Sequence, residues 1–167
     1  DVDSKYNWTV IANDTTEYGQ QAKFFNFTVD SLNAISLDVS NVSFGTLALG
    51  DSNDTIANNP GPIVIRNDGN IIINISTYAN QSMWTRKPLN TTFFMFAAAN
   101  TTETGSFNWT GSKTNFTNMS NAAQDVIKQL QFNTTKNTAE IEINVTSPTD
   151  EPSGFKESFV FVESVWY

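Results

Sequence analysis

The 167 residues predict an all-β protein, an antiparallel β-sandwich with an N-terminal extension strand. Three observations lead there. Apolar and polar residues alternate with period two in one run after another. Clusters of Asn, Asp, Gly and Pro separate those runs at short intervals. Helical spacing is offered by one stretch alone, Ser120 to Leu130, with Ala123, Val126, Ile127 and Leu130 on one stripe and Ser120 as a cap. Even there, strand remains open for Ile127 to Phe132.

The elements follow in order. In residues 1–14, Val2, Tyr6, Trp8 and Val10 share one parity while Asn7 and Thr9 take the other, giving a strand with one apolar face. Phe25, Phe27 and Val29 form the next apolar face, with Asn26 and Thr28 behind it. From Ile35 to Phe44 the parity slips (Ile35, Leu37, Val39, then Val42 and Phe44), which predicts a bulge or a bend near Ser40. Pro62 to Arg66 and Ile71 to Thr77 flank Asn67-Asp-Gly-Asn70, a hairpin signal. Phe93-Phe-Met-Phe96 predicts a strand buried on both faces, and Phe107 with Trp109 a short strand. Thr138 to Thr146 alternates most cleanly, with Ala139, Ile141, Ile143 and Val145 inward and Glu140, Glu142 and Asn144 outward. Ser158 to Trp166 reads as a central strand after the turns at Pro148 and Pro152-Ser-Gly154. The domain division expected is a strand over 1–14 and a sandwich over 15–167.

Fourteen asparagines stand in Asn-x-Ser/Thr triplets, the acceptor pattern for N-linked glycan: Asn7, Asn13, Asn26, Asn41, Asn53, Asn74, Asn80, Asn90, Asn100, Asn108, Asn115, Asn118, Asn133 and Asn144. Random order at this composition gives roughly four. Within the strands, triplets fall on the polar parity, where a bulky sugar can be carried. The chain is therefore expected outside the cytosol, at the cell surface. It begins at Asp1 without an apolar leader, as a mature chain would after removal of an export signal.

Composition narrows the function further. A net charge of −8 argues against nucleic acid, which favours a basic stripe. There is no run of 18 apolar residues, hence no expected membrane span. With no histidine and no cysteine, the commonest general base, zinc sites and disulfides are all excluded. No enzyme and no cofactor is expected, apart from covalent N-linked glycans. The paired carboxylates Glu140 with Glu142, and Asp150 with Glu151, are expected to be solvated rather than catalytic. Two oxygen-rich stretches that calcium could occupy, Asp51/Asn53/Asp54 and Asn67/Asp68/Asn70, are expected to serve as turns. Trp84, Trp109, Trp166 and Tyr167 are the aromatic pool for any sugar-binding surface.

The run Ser36-Leu-Asp-Val-Ser-Asn-Val-Ser-Phe-Gly-Thr-Leu-Ala-Leu-Gly-Asp51, then Pro62-Ile-Val-Ile-Arg-Asn-Asp-Gly-Asn-Ile71, resembles archaeal surface-filament subunits of the thread and bundling-pilin types. It is more distantly similar to TasA-type biofilm fibres. The turn at 148–154 and the strand after it fit the same group, so the likeness covers residues 35–77 and 140–162. The resemblance implies a jelly-roll-like sandwich polymerised head to tail by donor-strand complementation. Val2, Tyr6, Trp8 and Val10 would then fill a groove in a neighbouring copy. The expected function is thus a structural subunit of a glycosylated extracellular filament, partnered by itself and by other filaments or cell surfaces in adhesion or biofilm. A surface-layer or cell-wall glycoprotein domain and a secreted sugar-binding or adhesion module are the alternatives.

Overall fold

The computed structural model describes residues 3–11, 16 and 24–167, which divide into two compact units, Asp1–Leu32 and Asn33–Tyr167. In the first unit, β1 (Ser4–Thr9) pairs antiparallel with β2 (Phe24–Val29) from Ser4↔Val29 to Thr9↔Phe24. The division falls after Leu32 rather than after residue 14, because β2 finds its strand partner in β1 and not in the sandwich. Asp3, in the left-handed region at φ 56°, ties the ribbon's end by accepting the Ser31 N–H on Oδ1 at 3.0 Å.

The second unit is an antiparallel β-sandwich built from β3 (Ile35–Leu37), β4 (Ser52–Asp54), β5 (Ile63–Asn67), β6 (Ile73–Ala79), β7 (Phe94–Ala99), β8 (Thr117–Asn118), β9 (Gln124–Leu130), β10 (Thr138–Thr146) and β11 (Val160–Trp166). One sheet has the order β3-β5-β10-β7-β8, with β4 on the far end of β10; the other has the order β11-β6-β9. The alternation in β10 places Ala139, Ile141, Ile143 and Val145 inward, each at most 3% exposed. They meet Ile65 and Phe96 of the same sheet and Ile73, Ile75, Val126, Ile127 and Leu130 of the other in one core. Burying each large aliphatic chain contributes roughly 1.5–3 kcal/mol, so this seam is the main source of stability in a chain without disulfides. No helix among the described residues is long and apolar enough to cross a membrane.

Five local expectations are corrected. The Asp68-Gly69 turn does not make a hairpin: β5 lies in one sheet and β6 in the other. A two-residue type I′ turn needs positive φ at both central residues, and neither Asp68 nor Gly69 has it. Asn67 instead turns the chain between layers. Its buried side chain donates to Ile71 O (2.9 Å) and Leu130 O (3.2 Å) and accepts the Gly69 N–H (3.0 Å).

The helical stripe is a strand. β9 pairs with β6 through register shifts around Ile75, and Gln129 sits at φ 58°. Such irregularity lets Val126, Ile127 and Leu130 all face the core, mimicking a 3.6-residue period. Phe107 and Trp109 lie in turns, with rings tilted at 5.8 Å, Phe107 buried and Trp109 exposed.

Among the described residues β11 is an edge strand, with β6 as its one strand partner. Glu142 is buried, because Thr55 and the end of β4 cover that face of β10. At Asp38 and Ser40 the chain bends, as the slipped parity predicted, and the stretch beyond carries no strand until β4.

Candidate functional site

The β1–β2 ribbon has two chemically opposite faces because its register is strict. Ser4/Val29, Tyr6/Phe27 and Trp8/Phe25 share one face; Lys5/Thr28, Asn7/Asn26 and Thr9/Phe24 share the other. On the first, Tyr6 stacks on Phe27 at 5.2 Å and Trp8 on Phe25 at 4.7 Å. These rings stay open to solvent, Trp8 at 52% and Phe27 at 53%. Four of the ribbon's five described aromatics thus share one face, and the fifth, Phe24, is exposed on the other. Val10, just past β1, is exposed as well, while Val2 and the acceptor Asn13 lie outside the described residues.

Neither Phe25 nor Phe27 stands out as a binding residue from sequence. The signal is present in their matching parity, but which strand faces β1 across the intervening residues is a tertiary fact.

None of the other thirteen triplet asparagines is buried. Asn7, Asn26, Asn41, Asn80, Asn90, Asn108, Asn115 and Asn133 are exposed; Asn53, Asn74, Asn100, Asn118 and Asn144 are half-buried. Several use the amide oxygen locally, while Asn108 and Asn118 donate from the amide nitrogen, to Gln129 Oε1 and Asn90 O, both at 3.1 Å. Asn133 Oδ1 accepts the N–H (3.1 Å) and the hydroxyl (3.0 Å) of Thr135, and Asn74 Oδ1 accepts the Gln129 N–H at 3.0 Å.

The four carboxylates of the two pairs sit in different surroundings. Glu142 accepts a hydrogen bond from the buried Thr55 hydroxyl, which itself accepts the Ile143 N–H at 2.9 Å. Glu140 is pushed upward by burial, then by the neighbouring charges of Glu142 and Asp38. Asp150 is exposed and pairs with Lys87 at 3.3 Å.

Glu151, expected in a solvated turn, is buried. It accepts N–H bonds from Thr85 (2.8 Å) and Arg86 (2.9 Å) and an ion pair from Lys156 (2.5 Å). Burial alone would raise its pKa, but Lys156 and the two N–H groups outweigh that and hold it at about 2.

The two stretches considered for calcium spend their oxygens on turns: Asn53 Oδ1 on Asp54 N–H, Asp54 Oδ1 on Ile56 N–H, and Asn67 Oδ1 on Gly69 N–H. Among the described residues no group of three or more acidic side chains is placed to hold a metal ion. Trp84 is buried and donates to Phe93 O at 2.8 Å, whereas Trp109, Trp166 and Tyr167 are exposed.

No family model, curated protein or solved structure matches this chain.

Proposed function

We propose that the chain is a structural subunit of a heavily N-glycosylated extracellular filament, joined head to tail by donor-strand complementation. The observation that carries this reading is the solvent-open aromatic face of the β1–β2 ribbon, with acceptor asparagines Asn7 and Asn26 directly opposed on its back. A lone two-stranded ribbon is marginally stable in water, so a bare row of Tyr6, Trp8, Phe25 and Phe27 needs a cover. Burial in a neighbour supplies it, and backbone pairing adds affinity while the alternating rings give register.

The receiving edge would be β11: among the described residues it pairs with no strand but β6, Asn33 Nδ2 donates to Ser164 O at 3.4 Å, and its inward residues Val160 and Val162 are half-buried against the core. One donor and one different acceptor per subunit make a heterologous contact, which propagates as an open filament. Sugars on the outward faces keep such filaments from pairing sideways.

Removal of residues 1–13 is expected to leave a folded sandwich that forms no fibres by electron microscopy. Fibres from the truncated chain would end the assignment. Trp8→Asp places a charge where an apolar groove is expected. The junction should weaken by about 2 kcal/mol or more, roughly a thirtyfold loss in affinity, read from fibre dissociation in denaturant.

A further inference from the structure

Asn80 follows β6 immediately, and Phe159 stands opposite it, one residue ahead of β11. Two hydrogen bonds lock the pair. The Asn80 N–H donates to Phe159 O at 3.1 Å, and the Phe159 N–H donates to Asn80 Oδ1 at 3.0 Å. With its oxygen held against the neighbouring backbone, the amide turns its nitrogen, the atom that carries a glycan, away from that bond.

Period two then places Tyr78 and Phe161 on the same outward face as Asn80 and Phe159. Tyr78 and Phe161 stack at 4.9 Å, and the Tyr78 hydroxyl donates to Glu163 at 2.8 Å. Phe159 is 63% exposed and Phe161 is 43% exposed, although both stand on an ordered sheet. Directly opposed side chains on antiparallel strands have Cβ atoms about 5 Å apart, and the diagonal ones about 7–8 Å. The first sugar rings on Asn80 therefore reach both aromatic positions.

Resting on the glycoprotein reading above, we infer that the face formed by Phe159, Phe161 and Tyr78 is the seat of the chain's own saccharide, attached at Asn80. The apolar C–H face of a sugar ring lies on Phe159 and the Phe161–Tyr78 stack, and the Glu163 carboxylate accepts from sugar hydroxyls. Attachment itself draws on a lipid-diphosphate-linked saccharide. Asn80 Nδ2 bonds to the anomeric carbon, the carbon–oxygen bond to phosphate breaks, the lipid diphosphate leaves with the electron pair, and the amide releases one proton. The tether, fixed in register with the rings, selects this occupant over a free ligand.

The test uses the full chain from a glycosylating host. Glycopeptide mass spectrometry reads occupancy at Asn80, and thermal unfolding compares Phe159→Ala, Asn80→Gln and the double variant. Occupied Asn80 is expected. Phe159→Ala should lower the midpoint by about 3 °C in the glycosylated chain and add nothing in the Asn80→Gln background. An unmodified Asn80 overturns both the glycan assignment at this position and the seat. An occupied Asn80 with additive midpoint losses overturns the seat alone and leaves the glycoprotein reading standing. Concentration-dependent light scattering lost in Phe159→Ala would give the rings to a second copy instead, and would likewise overturn the seat alone.

Discussion

Glu151 illustrates how far one side chain can depart from what its neighbours in sequence suggest. Asp150-Glu-Pro-Ser-Gly reads as a wet turn, and Asp150 behaves so; Glu151 turns inward to the backbone of residues 85 and 86. Its ion-pair partner Lys156 is near in sequence, but the two N–H groups that draw it inward lie 66 and 65 residues away, where no local pattern announces them. Its pKa falls from 4.5 to about 2 on folding, so it stabilises the fold fully above about pH 4.5 and progressively less as pH drops toward 2. Glu151→Gln is expected to cost about 2 kcal/mol at pH 7, the worth of hydrogen bonds to a charged group. The gap to the native chain should close between pH 4.5 and pH 2, as measured by urea unfolding across that range. Parity is a better guide to the triplet asparagines in strands, none of which is buried, although Glu142 shows that the outward parity can be covered too.

Among the elements, β6 and β10 were readable because their core-facing residues alternate cleanly. β9 was not, because its register shifts against β6 break the period on which such reading relies. The turn at 67–70 failed differently. Its residues favour a tight reversal, but the buried amide of Asn67 ties β5's end to Leu130 of the other sheet, so the reversal becomes a crossing. Asn67→Ala removes three hydrogen bonds and strands buried carbonyls. It should destabilise by roughly 2–4 kcal/mol and lower the melting midpoint by about 8 °C, measured by circular dichroism. β11 has the composition of an interior strand yet, among the described residues, one strand partner, and composition does not count neighbours.

For the molecule as a whole, the sandwich class could be read from the letters, and the division into units could not. Residues 24–29 carry a strand pattern that suits either the sandwich or a ribbon, and only pairing decides. A net charge of −8 favours a solvated surface, and glycans on the acceptor asparagines, as proposed, would add to it. Chain produced in a host that adds no glycan is expected to keep its circular dichroism spectrum but to associate laterally at lower concentration. Static light scattering against the glycosylated chain checks this, and equal scattering would deny the sugars a protective role.

The facing of Asn7 and Asn26 across the ribbon has a consequence for geometry. With both carrying glycan, as proposed, two sugar trees would be rooted about 5 Å apart above that face. Another sheet would then meet the ribbon from its aromatic side alone, and an assembly joined there would not pair sideways through the sugared one.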